Sequence, residues 1–214
     1  MKNISILDLG MSNIYSIEGL FRRIGCKINI IKNNKDIDKA KIIVVPGVGS
    51  FPAAMNYLNK KNFIKKIQTY VKDGRPLIGI CLGMQLLFEK SFEFGSNEGL
   101  GLLEGEVVGF NNSKLKTHIG WNKVKFKKNN FFYKNLKKDQ KFDLENNYYY
   151  FVHSFYPVPK NEDMILSNSN FYGENFCSSI CISNILALQF HPEKSSIDGI
   201  RLINNFLNLL DSDD

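Results

Sequence analysis

The chain has 214 residues, 43% of them hydrophobic and 23% charged, with a formal net charge of +7. That length predicts one domain, residues 1–214, because a domain of this size buries roughly 70% of the surface its unfolded chain exposes. Membrane partners are excluded because no apolar run approaches the roughly 20 residues a spanning helix needs. Nucleic-acid partners are excluded because the lysines are scattered among asparagines rather than gathered in a binding module. The acid at Asp8 follows a very short apolar stretch, which reads against a secretory leader, so a cytoplasmic location is expected.

In chain order, Ile4–Leu7 reads as a short buried strand, followed by a helix with Ile14, Ile17, Phe21 and Ile24 on one face and a stop at Gly25. Residues Cys26–Ile31 and Ile42–Val45 predict the second and third strands. A helix opened by Ser50 and Pro52 carries Met55, Leu58, Phe63, Ile64, Ile67 and Val71 and closes at Gly74. Pro76–Ile80 predicts the fourth strand, and Leu82–Glu89 a helix starting directly after Cys81. Strands joined by crossover helices imply an α/β fold, with a mainly parallel central sheet covered by helices on both faces.

Beyond residue 100 the pattern turns β-rich, with strands expected over 105–110, 121–126, 148–152 and within 176–190, and residues 129–147 expected to be flexible or variable. A last helix over 197–210 presents Ile200, Ile203, Phe206, Leu207 and Leu210. The four cysteines, at 26, 81, 177 and 181, have no spacing that suggests disulfides, and Cys177 and Cys181 lack partners for a metal. No cofactor is expected.

Three segments carry chemistry. Gly79-Ile80-Cys81-Leu82-Gly83 has the nucleophile-elbow pattern with cysteine at its centre, where small flanking residues allow a sharp strand-to-helix turn. On its own the pattern fits equally a buried cysteine between packing glycines. Gln189-Phe190-His191-Pro192-Glu193 supplies what a thiolate needs, a base in His191 and an orienting carboxylate in Glu193. In Pro46-Gly47-Val48-Gly49-Ser50, backbone N–H groups of Val48 and Gly49 form, with that of Leu82, the natural oxyanion hole if the third and fourth strands are neighbours. His118 reads first as a structural or exposed histidine.

Together these segments resemble the class I glutamine amidotransferases, a flavodoxin-like fold. Ser12–Ser16, Gly120–Val124 and Tyr150–Tyr156 make the chain most similar to the glutaminase subunits of imidazole glycerol phosphate synthases, over residues 4–206. The resemblance implies hydrolysis of glutamine by Cys81, His191 and Glu193. It implies a glutamine pocket of Gln85, Glu93, His153, Ser154 and Phe155, and a partner-facing rim of Asn13, Trp121, Asn122, Tyr150 and Lys194. The implied partner is a (β/α)8-barrel cyclase that uses the ammonia in histidine biosynthesis. A related subunit feeding a sugar-amidating synthetase is the alternative. A free-standing α/β hydrolase fits less well, because its acid should precede its histidine in the chain.

Overall fold

A computed structural model describes residues 1–10, 14–111, 116–137, 140 and 147–211. Asn13 of the expected rim, and part of the segment 129–147, lie outside the described residues.

Strands β1 (Asn3–Leu7), β2 (Lys27–Ile31), β3 (Ile42–Val45) and β4 (Leu77–Ile80) form parallel pairs in the order β2-β1-β3-β4. The sheet continues through strands from the other half of the chain. The parallel β14 (Ile185–Leu188) lies against β4, and antiparallel β13 (Glu174–Ile182), β12 (Ile165–Phe171) and β9 (Lys125–Phe126) follow. The β-rich half thus completes the central sheet.

The apolar run Ile42–Val45 serves both faces, since successive strand residues point to opposite sides. Ile43 and Val45 enter one core with α2 (Asn34–Lys39), α3 (Phe51–Lys60) and α4 (Phe63–Lys72). Ile42 and Val44 enter the other with α1 (Ile14–Arg23) and α7 (Ser196–Leu209), whose Leu202, Ile203, Phe206 and Leu207 are buried.

Two expected helices are corrected, and two short helices are added. The helix expected from Ser50 to Gly74 is two, broken at Asn62, whose left-handed φ of 56° ends one and starts the next; Ser50 stands at the N-cap but its side chain makes no cap bond. The helix expected over Leu82–Glu89 is the single turn α5 (Leu82–Gln85), because Phe88–Ser91 is captured as β5 by β7 (Leu103–Gly109). Helix α2 went unread, since its charged segment buries only Ile37 and is held by a capping box between Asn33 and Asp36. The stretch expected to be flexible or variable contains α6 (Phe131–Asn135), whose Phe132 and Tyr133 are buried; the side chain of the preceding Asn130 caps Phe132 and donates to the Cys181 carbonyl at 3.1 Å.

Two smaller sheets cover the carboxyl ends of the central strands. One pairs β8 (His118–Lys123) with β10 (Tyr148–His153); the other joins β11 (Phe155–Pro159), β7, β5 and β6 (Asn97–Glu98).

Candidate active site

The carboxyl ends of three adjacent parallel strands converge: β3 runs into Pro46–Ser50, β4 into Cys81, and β14 into Gln189–Glu193. This is where open α/β sheets place their ligands. A cavity of about 300 Å³ opens there, lined by Gly47, Val48, Gly49, Cys81, Leu82, Gln85, Glu93, Thr117, Val152, His153, Ser154, Phe155 and His191. Every residue expected to hold glutamine, and all three expected at the oxyanion hole, therefore line one cavity.

Cys81 has φ 53° and ψ −111°, a backbone conformation that L-residues rarely adopt and that the surroundings must enforce. Its N–H donates to the Leu188 carbonyl at 2.7 Å, fastening the elbow to β14. The flanking glycines are sterically required. A Cβ on Gly79 would lie 2.9 Å from the Gly83 carbonyl oxygen, one on Gly47 2.6 Å from Leu82 Cα, and one on Gly83 would collide with the Val45 carbonyl. With only one helical turn behind it, Cys81 gains little from a macrodipole.

His191 Nδ1 lies 2.7 Å from Glu193 Oε1, both side chains being buried; a carboxylate acceptor there requires the proton on Nδ1. Nε2 is buried and makes no hydrogen bond, as is Glu193 Oε2. Burial alone would lower the pKa of His191, but the adjacent Cys81 sulfur and the Glu193 carboxylate outweigh it and hold the value well above the ordinary one. The Cys81 thiol donates to the Val152 carbonyl at 3.7 Å and accepts from Gln189 Nε2 at 3.7 Å. Such a histidine, anchored on one nitrogen and free on the other inside a cavity with a cysteine, can exchange a proton with whatever reacts there.

Around this centre, the Glu93 carboxylate accepts from the Phe51 N–H at 2.6 Å, tying the cavity wall to the start of α3. Gln85 Nε2 donates to the Phe155 carbonyl at 2.7 Å and to Gln189 Oε1 at 3.1 Å. Sequence reasoning gave Gln189 no role, although an amide inside the apolar run Ala187–Phe190 was a visible signal.

The model of the family "Glutamine amidotransferase class-I" matches residues 5–209. This chain belongs to the class I glutamine amidotransferases. The amidotransferase is 41% identical over 202 residues to the imidazole glycerol phosphate synthase subunit HisH of Aquifex aeolicus (strain VF5), covering 94% of each chain. It is also 41% identical over 209 residues to the subunit of the same name from Pyrococcus furiosus, covering 98% of this chain and 100% of that one. Among solved structures, PurLQS from Thermotoga maritima has a TM-score of 0.76 at 18% identity, with 98% and 99% of the two chains covered. A crystal structure of a glutamine amidotransferase has a TM-score of 0.70 at 17% identity, with 96% and 97% covered. These two share its fold.

On the outer side of the amidotransferase site, Trp121 is 54% exposed and meets Tyr150 edge-on, with 6.2 Å between ring centroids. The Lys194 ammonium lies 5.4 Å from the Tyr150 ring centroid. The exposed Trp121 and Lys194 and the half-buried Tyr150 thus form one cluster beside Glu193. Asn122 does not join it, because its side chain is turned inward onto His118 and the Asn170 carbonyl.

Proposed function

We propose that this amidotransferase is the glutaminase subunit of an imidazole glycerol phosphate synthase, with Cys81, His191 and Glu193 as its catalytic residues. The HisH relatives support the assignment, and the observation that carries the chemistry is the unpartnered His191 Nε2 facing the cavity that Cys81 enters.

Cys81 gives its thiol proton to His191 Nε2 as its sulfur attacks the side-chain carbonyl carbon of glutamine, forming a C–S bond while the carbonyl electron pair moves to oxygen. Backbone N–H groups of Leu82 and of the Val48–Gly49 loop stabilise that oxyanion. As the tetrahedral intermediate collapses, the C–N bond breaks and His191 Nε2–H protonates the departing nitrogen, releasing ammonia and leaving a thioester. His191 then takes a proton from water, the resulting nucleophile attacks the thioester, and glutamate leaves with the thiol restored. Glu193 holds the imidazole in the Nδ1–H form throughout.

Gln85, Glu93, His153, Ser154 and Phe155 form the glutamine pocket. The exposed Trp121 and Lys194, with the half-buried Tyr150 between them in the cluster, fit a docking rim for the synthase's other subunit, a (β/α)8-barrel cyclase that combines the ammonia with a phosphoribulosyl-carboxamide nucleotide. Among the described residues no helix is long and apolar enough to cross a membrane, and we place the reaction in the cytoplasm. In the two-subunit complex, Cys81→Ala is expected to abolish glutamine-dependent synthesis while leaving synthesis from ammonium salts intact. Glutaminase activity retained by Cys81→Ala would sink the assignment.

A further inference from the structure

We infer that His118 and Asn122 are positioning residues for the glutamine pocket: through His153 they fix the Phe155 carbonyl on which Gln85 is hung. The inference rests on reading the cavity as the glutamine site.

Three hydrogen bonds link β8 to the pocket. Asn122 Nδ2 is 3.2 Å from His118 Nε2, His118 Nδ1 is 3.1 Å from His153 Nε2, and His153 Nδ1 is 2.9 Å from the Phe155 carbonyl oxygen. Their direction is forced from both ends. A carbonyl oxygen can only accept, so His153 carries its proton on Nδ1. Asn122 Nδ2 also donates to the Asn170 carbonyl at 2.8 Å, while Asn122 Oδ1 accepts from the Lys123 N–H at 2.7 Å, which fixes the amide's orientation. His118 Nε2 must then accept from Asn122, and His118 Nδ1–H must donate to His153 Nε2.

Only two neutral rings satisfy every bond, since a second proton on His153 would set two N–H groups against each other. Burial drives the same way, pushing His118 down to about 4; burial and the neighbouring His118 push His153 down to about 3. The His118 ring is stacked on Phe151, 4.7 Å away at 21°.

Both ring nitrogens of His153 are thus committed to protein partners. Lining the cavity without a free N–H, His153 serves glutamine by setting the Phe155 carbonyl, which accepts from both His153 Nδ1 and Gln85 Nε2. Gln85 in turn holds Gln189, whose amide reaches Cys81. Without the donor from His118, the His153 ring is free to turn or change tautomer, and the Phe155 carbonyl and Gln85 lose their set position.

The test combines imidazole ¹⁵N NMR on the full chain with kinetics of its complex with the cyclase. In the unmodified chain both His118 and His153 are expected as Nδ1–H tautomers. His118→Phe keeps the stacked ring and removes the donor; His153 is expected to lose its single tautomer, and KM for glutamine to rise roughly tenfold, the scale of one lost buried hydrogen bond, with kcat changed far less. Asn122→Ala is expected to move both readouts in the same direction and by less. A purely structural role would lower the melting temperature and leave the tautomer and the KM-to-kcat split untouched. An Nε2–H tautomer for His153 in the unmodified chain, or unaltered KM in both variants, would overturn the proposal. If His118→Phe does not fold, the unmodified chain's tautomers and Asn122→Ala decide. Failure of the glutaminase reading is registered separately by Cys81→Ala, which leaves the tautomers unaltered.

Discussion

The backbone N–H of His191 donates to the Tyr150 carbonyl at 2.8 Å, so the proposed base hangs on β10 rather than on the strand that leads into it. The buried Ser195 completes the bracket. Its hydroxyl accepts from the Tyr150 N–H at 3.0 Å and donates to the His191 carbonyl at 2.6 Å. Ser195→Ala takes the acceptor from the Tyr150 N–H, while the His191 carbonyl keeps the Lys194 N–H at 3.0 Å; the loss costs about 1–3 kcal/mol and lowers the melting temperature by roughly 2–12 °C at this chain length. Scanning calorimetry checks the size of the drop, and kcat is expected to fall with it as His191 loosens.

Glu193→Gln preserves shape but removes the carboxylate charge. The folded-state pKa of His191 is raised, so its contribution to stability is complete below the ordinary histidine value, about 6.5, and is lost as pH rises through the folded value of about 10. Without the charge that window narrows from its upper end. The alkaline limb of kcat/KM should therefore move to lower pH, and kcat should fall roughly 100- to 10,000-fold, the range from weakened acid–base catalysis to a wrongly held tautomer. An unmoved alkaline limb would count against Glu193 as the residue that sets this histidine.

Gly83→Ala tests the elbow itself. The added methyl meets the backbone of Val45, which lies in a fully buried strand and has nowhere to retreat. Overpacking of this kind costs about 1–3 kcal/mol or more. Because relief requires moving β3 and its following loop away from Cys81, activity should drop further than stability alone explains; urea titration alongside turnover separates the two.

Val48→Pro removes one backbone donor from the loop that lines the cavity between Gly47 and Gly49, the latter at φ 106°. Loss of a single oxyanion donor lowers kcat roughly 100- to 1,000-fold. Steady-state glutaminase assays on the complex should find that loss with little change in KM, whereas an unchanged kcat would remove Val48 from the hole.

How far the sequence could be read depended on whether local chemistry fixed the outcome. The elbow was legible because the steric need at Gly79, against the Gly83 carbonyl and Met84 N, lies within the turn itself, and His191 with Glu193 because two residues across a proline are held close by the chain itself. Gln85 and Glu93 entered the pocket only through family resemblance, their neighbours being more than forty residues away in sequence. The helix expected to continue to Glu89 failed for a related reason: Leu86, Leu87 and Phe88 suit helix and strand equally, and β7 decided between them.

The sequence by itself determined the chemistry available: one cysteine at an elbow, a His-Pro-Glu at a strand end, glycines where backbones meet, and apolar runs long enough for a sheet buried on both faces. Tertiary structure alone decided how distant segments support that chemistry. It joined β14 to β4, so that Cys81 and His191 face one cavity, and hung His191 on β10 through Tyr150 and Ser195. It also set His118 against His153 by pairing β8 with β10. Periodicity along the chain records which side of an element is apolar but carries no information on which strands will be neighbours, since that choice is made by packing between residues far apart in sequence.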